Sequence, residues 1–212
     1  MIARPGSADG AGDGRPSRRL PHAGILERMG RTLLAALAAS ALLAAPSGAW
    51  AQPSFSPPGL ITSVGQSADA AIVKLALNTQ YQLGLEYKPQ AEVADLAGRK
   101  TMVVVIGSTP EGLAASGTDL PAEIARAKAL LAAAREAGVG ILAMHTGGQA
   151  RRDKASTQLI ELVVPLADYI VVVAGGNQDK LFQKLAAPRG TLVAQVDRVP
   201  GVGGAVGAVY KR

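Results

Sequence analysis

The chain has 212 residues and contains no cysteine, which excludes disulfide bonds, thiolate chemistry and a lipid-modified cysteine. Its formal net charge is +6, but residues 1–51 hold six of the 22 Lys and Arg and three of the 16 Asp and Glu, so residues 52–212 carry only +3. This charge forms no basic stripe with interleaved aromatic residues, and the sequence therefore predicts no nucleic-acid partner.

The first recognisable element is an apolar run of thirteen residues at 33–45, which follows Arg31 and precedes Ala49, Trp50 and Ala51. A basic flank, a short apolar run and small residues two apart are the three parts of a secretory signal peptide, here cleaved after Ala51. At about 1.5 Å per residue the run spans roughly 20 Å, short of the roughly 30 Å hydrocarbon core that a membrane anchor must cross. The sequence thus predicts a periplasmic or secreted protein that meets a membrane only through an uncleaved signal peptide.

The residues on either side of this signal are simpler in pattern. Residues 1–28 are rich in Gly, Pro and Arg, and two interpretations stay open: translation starts at Met29, or residues 1–28 are disordered. Residues 52–58 predict a proline-rich tether. The remaining residues, 59–212, are enough to bury one core, which predicts a single domain.

Short apolar runs alternate with helical patterns through this domain. Strands are predicted at residues 60–62, 83–87, 101–106, 140–144, 169–173 and 191–196, and helices at 68–80, 121–137, 155–164 and 178–187. The helix at 121–137 has the clearest limits, because Asp119 is a good N-cap residue and Gly138 is a good C-terminal stop. Residues 200–210 contain four glycines and fit neither pattern.

The predicted strands are apolar on both faces, and most of them are followed by a helix. Such strands form a parallel sheet that helices cover on both sides. With right-handed crossovers, the predicted fold class is α/β: a single-domain, three-layer α/β/α sandwich with a mainly parallel, doubly wound sheet of the flavodoxin or Rossmann type. Ligands of such folds bind beyond the carboxyl ends of the strands, near the point where the strand order reverses.

Glycine occurs together with a hydroxyl, amide or imidazole group at the predicted carboxyl ends of four strands, whereas the strand entries, such as Gly98-Arg99-Lys100 before the third strand, do not pair glycine with hydroxyl groups. The candidate ligand-binding residues are Ser63, Gly65, Gln66 and Ser67 after the first strand, Gly107, Ser108 and Thr109 after the third, His145, Thr146, Gly147, Gly148, Arg151 and Arg152 after the fourth, and Gly175 and Asn177 after the fifth. We expect them to bind a small polar or anionic molecule, with no cofactor and no metal.

Each group of candidates has a predicted role. The predicted donors are the backbone N–H groups of residues 65–67 and 107–109 and the side chains of Ser63, Ser67, Ser108 and His145, and the predicted charge comes from Arg151 or Arg152. Residues 107–118 are longer than a usual strand-to-helix connection, which is typical of a lid or a binding loop. The plainer alternative is that Ser67 caps a helix, His145 is a structural residue and the two arginines lie on the surface.

The sequence lacks the usual catalytic signatures of α/β folds: a P-loop, a G-x-G-x-x-G turn after the first strand and a G-x-S-x-G elbow. Gly65-Gln66-Ser67 occupies the place of the nucleophile in GDS-type esterases, and Gly175-Gly176-Asn177 is loosely like their oxyanion asparagine. Those enzymes need a histidine near the C-terminus, however, and none follows His145. Two alternatives to a binding protein stay open: a hydrolase that uses Ser67 or Ser108 with His145 as base, and an accessory subunit of a transport system.

Three segments carry a resemblance to a known family. Residues 60–69 contain the motif ITSxGQSxD, residues 143–152 contain HxGGxxRR, and Ala167-Asp168-Tyr169 follows. The chain resembles, from about Pro58 to Val196, a bacterial family of exported proteins classed only as a domain of unknown function. The resemblance implies export and an α/β fold, and it implies no reaction and no catalytic residues.

Cleavage after Ala51 makes Gln52 the first residue of the mature protein. N-terminal sequencing of the exported product is expected to begin at Gln52. Because Trp50 is the single tryptophan of the chain, the mature form should also lack tryptophan fluorescence. A product that retains Trp50 would contradict the predicted signal peptide.

Overall fold

The computed structural model describes residues 52–211, so that the predicted signal peptide and its cleavage after Ala51 lie outside the described residues. Six parallel strands form one sheet in the order β2-β1-β3-β4-β5-β6. The strands are β1 (Gly59–Val64), β2 (Glu86–Tyr87), β3 (Thr101–Ile106), β4 (Gly140–His145), β5 (Tyr169–Val173) and β6 (Leu192–Val196).

Helices connect the strands and cover the sheet. They are α1 (Asp69–Leu75), α2 (Pro110–Ala115), α3 (Leu120–Glu136), α4 (Lys154–Val163), α5 (Leu181–Ala186) and α6 (Val202–Gly207). A π-helical turn, Ala76–Gln80, continues α1, and short 3-10 turns flank several other elements. Among residues 52–211, no helix is long and apolar enough to span a bilayer.

Each face of the sheet has its own hydrophobic core. Leu130 of α3, Leu159 of α4 and Phe182 of α5 pack against one face. Val73 of α1 and Val206 of α6 pack against the other. Both faces of the central strands β1, β3, β4 and β5 are buried, which is why these strands are mainly apolar, whereas the edge strands β2 and β6 are partly exposed. The predicted three-layer α/β sandwich is confirmed.

The strand order reverses between β1 and β3. The chain leaves β1 for α1 on one face, and it leaves β3 for α3 on the other face. The two connections therefore diverge and open a crevice at the carboxyl edge of the sheet. This is the place at which doubly wound folds bind ligands.

Strong local signals predicted several elements correctly. The predicted limits of β3 and β5 agree with the structure, and α3 begins after Asp119, whose carboxylate accepts a hydrogen bond of 2.8 Å from the Ala122 N–H. The predicted second strand is too long, because β2 contains only Glu86 and Tyr87. Leu85, which precedes it, is buried in the core, and its N–H donates to the Asn78 side chain at 2.9 Å.

The predicted long loop at residues 107–118 is also corrected, because it contains helix α2. Thr109 is the N-cap residue, and its hydroxyl accepts a hydrogen bond of 3.0 Å from the Gly112 N–H. Pro110 occupies the first helical turn, where a missing N–H costs nothing. The connection from β3 to this helix is therefore only three residues long, which is ordinary for an α/β fold.

The two ends of the described chain pack against each other. Phe55, in the segment predicted as a tether, is buried, and its N–H donates to the Val209 carbonyl at 2.8 Å. Its carbonyl accepts from the Lys211 N–H at 2.7 Å. The glycine-rich segment that follows β6 forms α6, where a Cβ on Gly203 would lie 1.9 Å from the Tyr81 ring. A glycine there lets the ring lie against the helix.

Replacing Phe55 with alanine is expected to lower the free energy of unfolding by about 3–5 kcal/mol, because a buried aromatic side chain leaves a cavity. Urea unfolding of the full-length protein measures this change. The matched control is Ser54→Ala, at an exposed neighbouring position, for which the change should be within about 0.5 kcal/mol. Equal stabilities of the two variants would show that residues 52–58 are a free tether.

Candidate functional site

The crevice at the strand reversal is a cleft of about 530 Å³ at the carboxyl edge of the sheet. Residues that follow β1, β2, β3 and β4 all contribute to it. The lining residues are Gln66, Ser67, Ala68, Tyr87, Pro89, Thr109, Glu111, Gly112, Ala115, Ser116 and Arg151. Four of the predicted site residues, Gln66, Ser67, Thr109 and Arg151, are therefore brought together in this cleft.

Backbone hydrogen bonds tie the exits of β1 and β3 to each other at the floor of the cleft. The Ser67 N–H donates to the Gly107 carbonyl at 3.2 Å, and the Gly107 N–H donates to the Val64 carbonyl at 3.0 Å. Gly65 lies between them with φ of +104°. A Cβ at this position would lie 2.3 Å from the Gly107 oxygen, so only glycine fits the turn.

A buried ion pair from α3 holds the β1 exit in place. The Glu123 side chain is 1% exposed, and its Oε1 accepts hydrogen bonds from the Gly65 N–H at 2.8 Å and from Gln66 Nε2 at 3.0 Å. Arg126 donates to the same carboxylate at 2.7 and 2.9 Å, and it also donates to the Ser63 carbonyl at 2.6 Å. Neither residue was predicted from the sequence, although a glutamate four positions before the buried Ala127, on an otherwise apolar helix face, was a usable signal.

These contacts occupy backbone donors that the sequence assigned to the ligand. The N–H groups of Gly65, Ser67 and Gly107 donate within the protein, and that of Ser108 donates to the Ser156 hydroxyl at 3.0 Å. They are not free to bind a ligand. The cleft therefore differs from phosphate-binding turns, which leave their N–H groups unpaired.

Ser67, Asp69 and Arg151 form a polar cluster beside the cleft. The Ser67 hydroxyl donates to Asp69 Oδ2 at 3.1 Å, and Arg151 Nε lies 3.7 Å from the same oxygen. A Cβ on Gly147 would lie 1.9 Å from Arg151 Cγ, so the glycine makes room for the arginine to turn toward Asp69. Arg151 Nε is buried and has no hydrogen-bond partner among residues 52–211.

Arg152 points away from this cluster and has a structural role. Its side chain is 9% exposed, it pairs with Asp179 at 2.8 Å, and it donates to the Gly176 carbonyl. The guanidinium also lies over the Phe182 ring, 5.9 Å from the centroid. The hydrogen bond from Arg152 lowers the pKa of the Asp179 carboxyl. Of the two predicted arginines, only Arg151 lines the cleft.

His145 is at the same edge as Ser67 but is fully buried. Its Nδ1 lies 3.0 Å from the Ile106 carbonyl, while Ser67 bonds to the next residue, Gly107. The ring stacks on Phe182 with centroids 5.6 Å apart. Since Nδ1 faces a carbonyl oxygen it carries the proton, and Nε2 has no hydrogen-bond partner among the described residues.

No hydrogen bond joins His145 to either candidate nucleophile among residues 52–211. The Ser67 hydroxyl is bonded to Asp69, and the Ser108 backbone is bonded to Ser156. A serine hydrolase needs its nucleophile within hydrogen-bond reach of a base. Residues 52–211 provide no such pair.

The other predicted residues lie outside the cleft, and some of them hold neighbouring elements of the carboxyl edge together. Asn177 is buried; its Nδ2 donates to Gln183 at 2.8 Å and to Gln195 at 3.1 Å, which ties α5 to β6. Ser63, Gly65, Gly107, Ser108, His145, Thr146, Gly147, Gly148, Arg152, Gly175 and Asn177 do not line the cleft. Nor do residues 52–211 contain a group of three or more His, Asp or Glu side chains that could hold a metal ion.

Part of the cleft wall was not predicted from the sequence: Tyr87 in β2, Pro89 after it, Glu111 in α2 and Ser116 after that helix. Tyr87 reaches the cleft because β2 pairs with β1 at the edge of the sheet, where Tyr87 lies opposite Ile61. Burial raises the pKa of the Tyr87 phenol, which moves it further from neutral pH. A protonated phenol both donates and accepts hydrogen bonds.

The buried histidine makes stability depend on pH. Burial lowers the pKa of the His145 imidazole more than the bond to Ile106 raises it, so the folded protein binds a proton there less readily than the unfolded chain does. The unfolded chain binds a proton below about pH 6.5, and the free energy of unfolding should fall as the pH falls from about 7 to 5, by at most about 1.4 kcal/mol per pH unit. In urea unfolding across this range, His145→Asn should show a smaller pH slope. An equal slope in both proteins would contradict the assignment.

Comparison with known proteins places the chain in a family. No curated protein matches it. Residues 56–210 match the family model described as a domain of unknown function (DUF6305), which covers most of the 212 residues and both motif segments. The chain therefore belongs to the DUF6305 family, whose α/β domain is the one described above.

Proposed function

We propose that this domain binds a small polar molecule in the cleft between the exits of β1 and β3. The observation that carries the proposal is the cleft itself, about 530 Å³ in volume and placed where the strand order reverses. Small-molecule sites usually measure about 300–1,000 Å³, and doubly wound folds bind their ligands at this position.

Side chains supply the recognition. Ser67, Thr109, Ser116 and Tyr87 line the cleft with hydroxyl-bearing side chains, and Arg151 and Glu111 line it with charged ones. The Ser67 and Ser116 hydroxyls donate to Asp69 and Gln66, so these two offer a ligand their acceptor lone pairs. The backbone N–H groups beneath are engaged by Glu123 and by the β3 exit. The ligand is therefore a molecule with several hydrogen-bonding groups. A few side chains contact it, above a backbone that is held in place by hydrogen bonds within the protein.

The narrower anion hypothesis has less support than the polar one. Arg152 is paired with Asp179, and Arg151 lies near Asp69. Asp153 caps α4 through the Ser156 N–H at 2.6 Å and does not oppose an anion. One arginine with a carboxylate behind it attracts a simple anion weakly.

We further propose that binding takes place outside the cytoplasm, following the predicted cleavage after Ala51. A free binding protein and an accessory subunit of a transport system would use the cleft in the same way. The hydrolase alternative has no support in the contacts of His145, because neither Ser67 nor Ser108 is bonded to it.

A cleft-blocking variant tests the proposal. Ala115 lines the cleft and Ala114 does not, although both are exposed on α2, so Ala115→Trp and Ala114→Trp are a matched pair. Thermal-shift titrations of the full-length protein would use phosphate, sulfate, acetate, L-glutamine and glucose. A ligand at about 100 times its Kd adds about 2.7 kcal/mol of stability.

We expect at least one of these probes to stabilise the unmodified chain and Ala114→Trp, and Ala115→Trp to lose at least about tenfold in affinity, which is about 1.4 kcal/mol. Native mass spectrometry of protein purified from its own compartment should show a retained small molecule that Ala115→Trp lacks. Binding that is the same in both tryptophan variants would place the site elsewhere and contradict the proposal.

A further inference from the structure

We infer that the ligand of this cleft is a small zwitterion, whose carboxylate binds Arg151 and whose ammonium group binds Glu111. The inference rests on the proposed function and adds the charge class of the ligand. It starts from the fact that only two of the eleven residues that line the cleft are charged, one of each sign.

Arg151 has unused hydrogen-bonding capacity. Its side chain is 34% exposed, it makes no hydrogen bond to residues 52–211, and its buried Nε has no partner. Its contact with Asp69, at 3.7 Å, is longer than a hydrogen bond. Other arginines of the domain are engaged: Arg126 makes four hydrogen bonds and Arg152 makes three. A planar guanidinium with free donors is suited to a carboxylate.

Glu111 is the complementary group. It is exposed in the first turn of α2, and it makes no hydrogen bond or ion pair with another residue of the described chain. It is therefore not neutralised by Arg151, although both line the same cleft. A carboxylate accepts hydrogen bonds only, so a group with several N–H donors, such as an ammonium, matches it.

The balance of charges in the cleft also favours a zwitterion. The lining charges of Arg151 and Glu111 cancel, and Asp69 lies behind the arginine. A simple anion would meet two carboxylates beside one cation, and a simple cation would meet the arginine. A molecule that carries both charges places each against its opposite, and like-charge contacts disfavour the singly charged ligands.

Capped amino acids and peptides test the inference on the full-length chain. The probes are L-glutamine and dialanine as zwitterions, their N-acetyl derivatives without the ammonium, their amides without the carboxylate, and glucose as a neutral polar control. Isothermal titration calorimetry is expected to show binding of at least one zwitterion. Each cap should weaken it about tenfold or more, because each removes a charge-assisted contact.

Single variants then assign each charge. Arg151→Gln should lose the preference for the free carboxylate over the amide, and Arg151→Lys should keep part of it. Glu111→Gln should lose the preference for the free amine over the acetyl form. Two controls should leave both preferences unchanged: Arg189→Gln, at a side chain 38% exposed that pairs with Asp168 before β5, and Glu161→Gln, on exposed α4 surface.

The outcomes separate the inference from the proposed function. If glucose or a capped probe binds as tightly as a zwitterion and Ala115→Trp abolishes that binding, the cleft binds a polar ligand but the zwitterion inference is wrong. If no probe binds and no molecule is retained in native mass spectrometry, both fail. Zwitterion binding that is unchanged in Arg151→Gln and Glu111→Gln would overturn the assignment of the two charges.

Discussion

Glu123 is a buried carboxylate on which the geometry of the carboxyl edge depends. It accepts hydrogen bonds from the Gly65 N–H, from the Gln66 side chain and from Arg126. Arg126 also donates a hydrogen bond to the Ser63 carbonyl. A buried charge is costly unless it is paired and hydrogen-bonded, and losing one partner leaves the cost uncompensated. The β1 exit is therefore held in one conformation by α3, a helix that the chain reaches only after β3.

The fixed β1 exit limits the ligand contacts that are open to the proposed binding site. Because the backbone N–H groups at the floor are bonded within the protein, they contribute rigidity and not ligand contacts. In the proposed function, specificity comes from the side chains that line the cleft from β2, from α2 and from the turn after β4. Proteins with this doubly wound topology can therefore bind ligands at the same edge of the sheet through different chemical groups. For this reason the fold alone does not identify a ligand.

The sequence predicted the architecture well because its central strands are buried on both faces and its longest helix has clear ends. The errors lie where local signals compete. Leu83 and Leu85 are apolar enough for a strand, but they fill the core beside α1 and only Glu86 and Tyr87 pair with β1. Helix α2 was hidden by Gly112 within it and by the glycines and serines that flank it, although Thr109 and Pro110 are standard signals of a helix start.

The candidate site was predictable as an edge of the sheet but not as a set of contacts. In the HxGGxxRR segment, Gly147 makes room for Arg151, His145 is packed under Phe182, and Arg152 is bonded to Asp179. Two adjacent arginines look alike in a sequence, and only the tertiary partners of each decide which one faces the cleft. The segment therefore mainly determines how the carboxyl edge of the sheet is packed. Arg151 is its single residue that lines the cleft, and its buried Nε has no hydrogen-bond partner among residues 52–211.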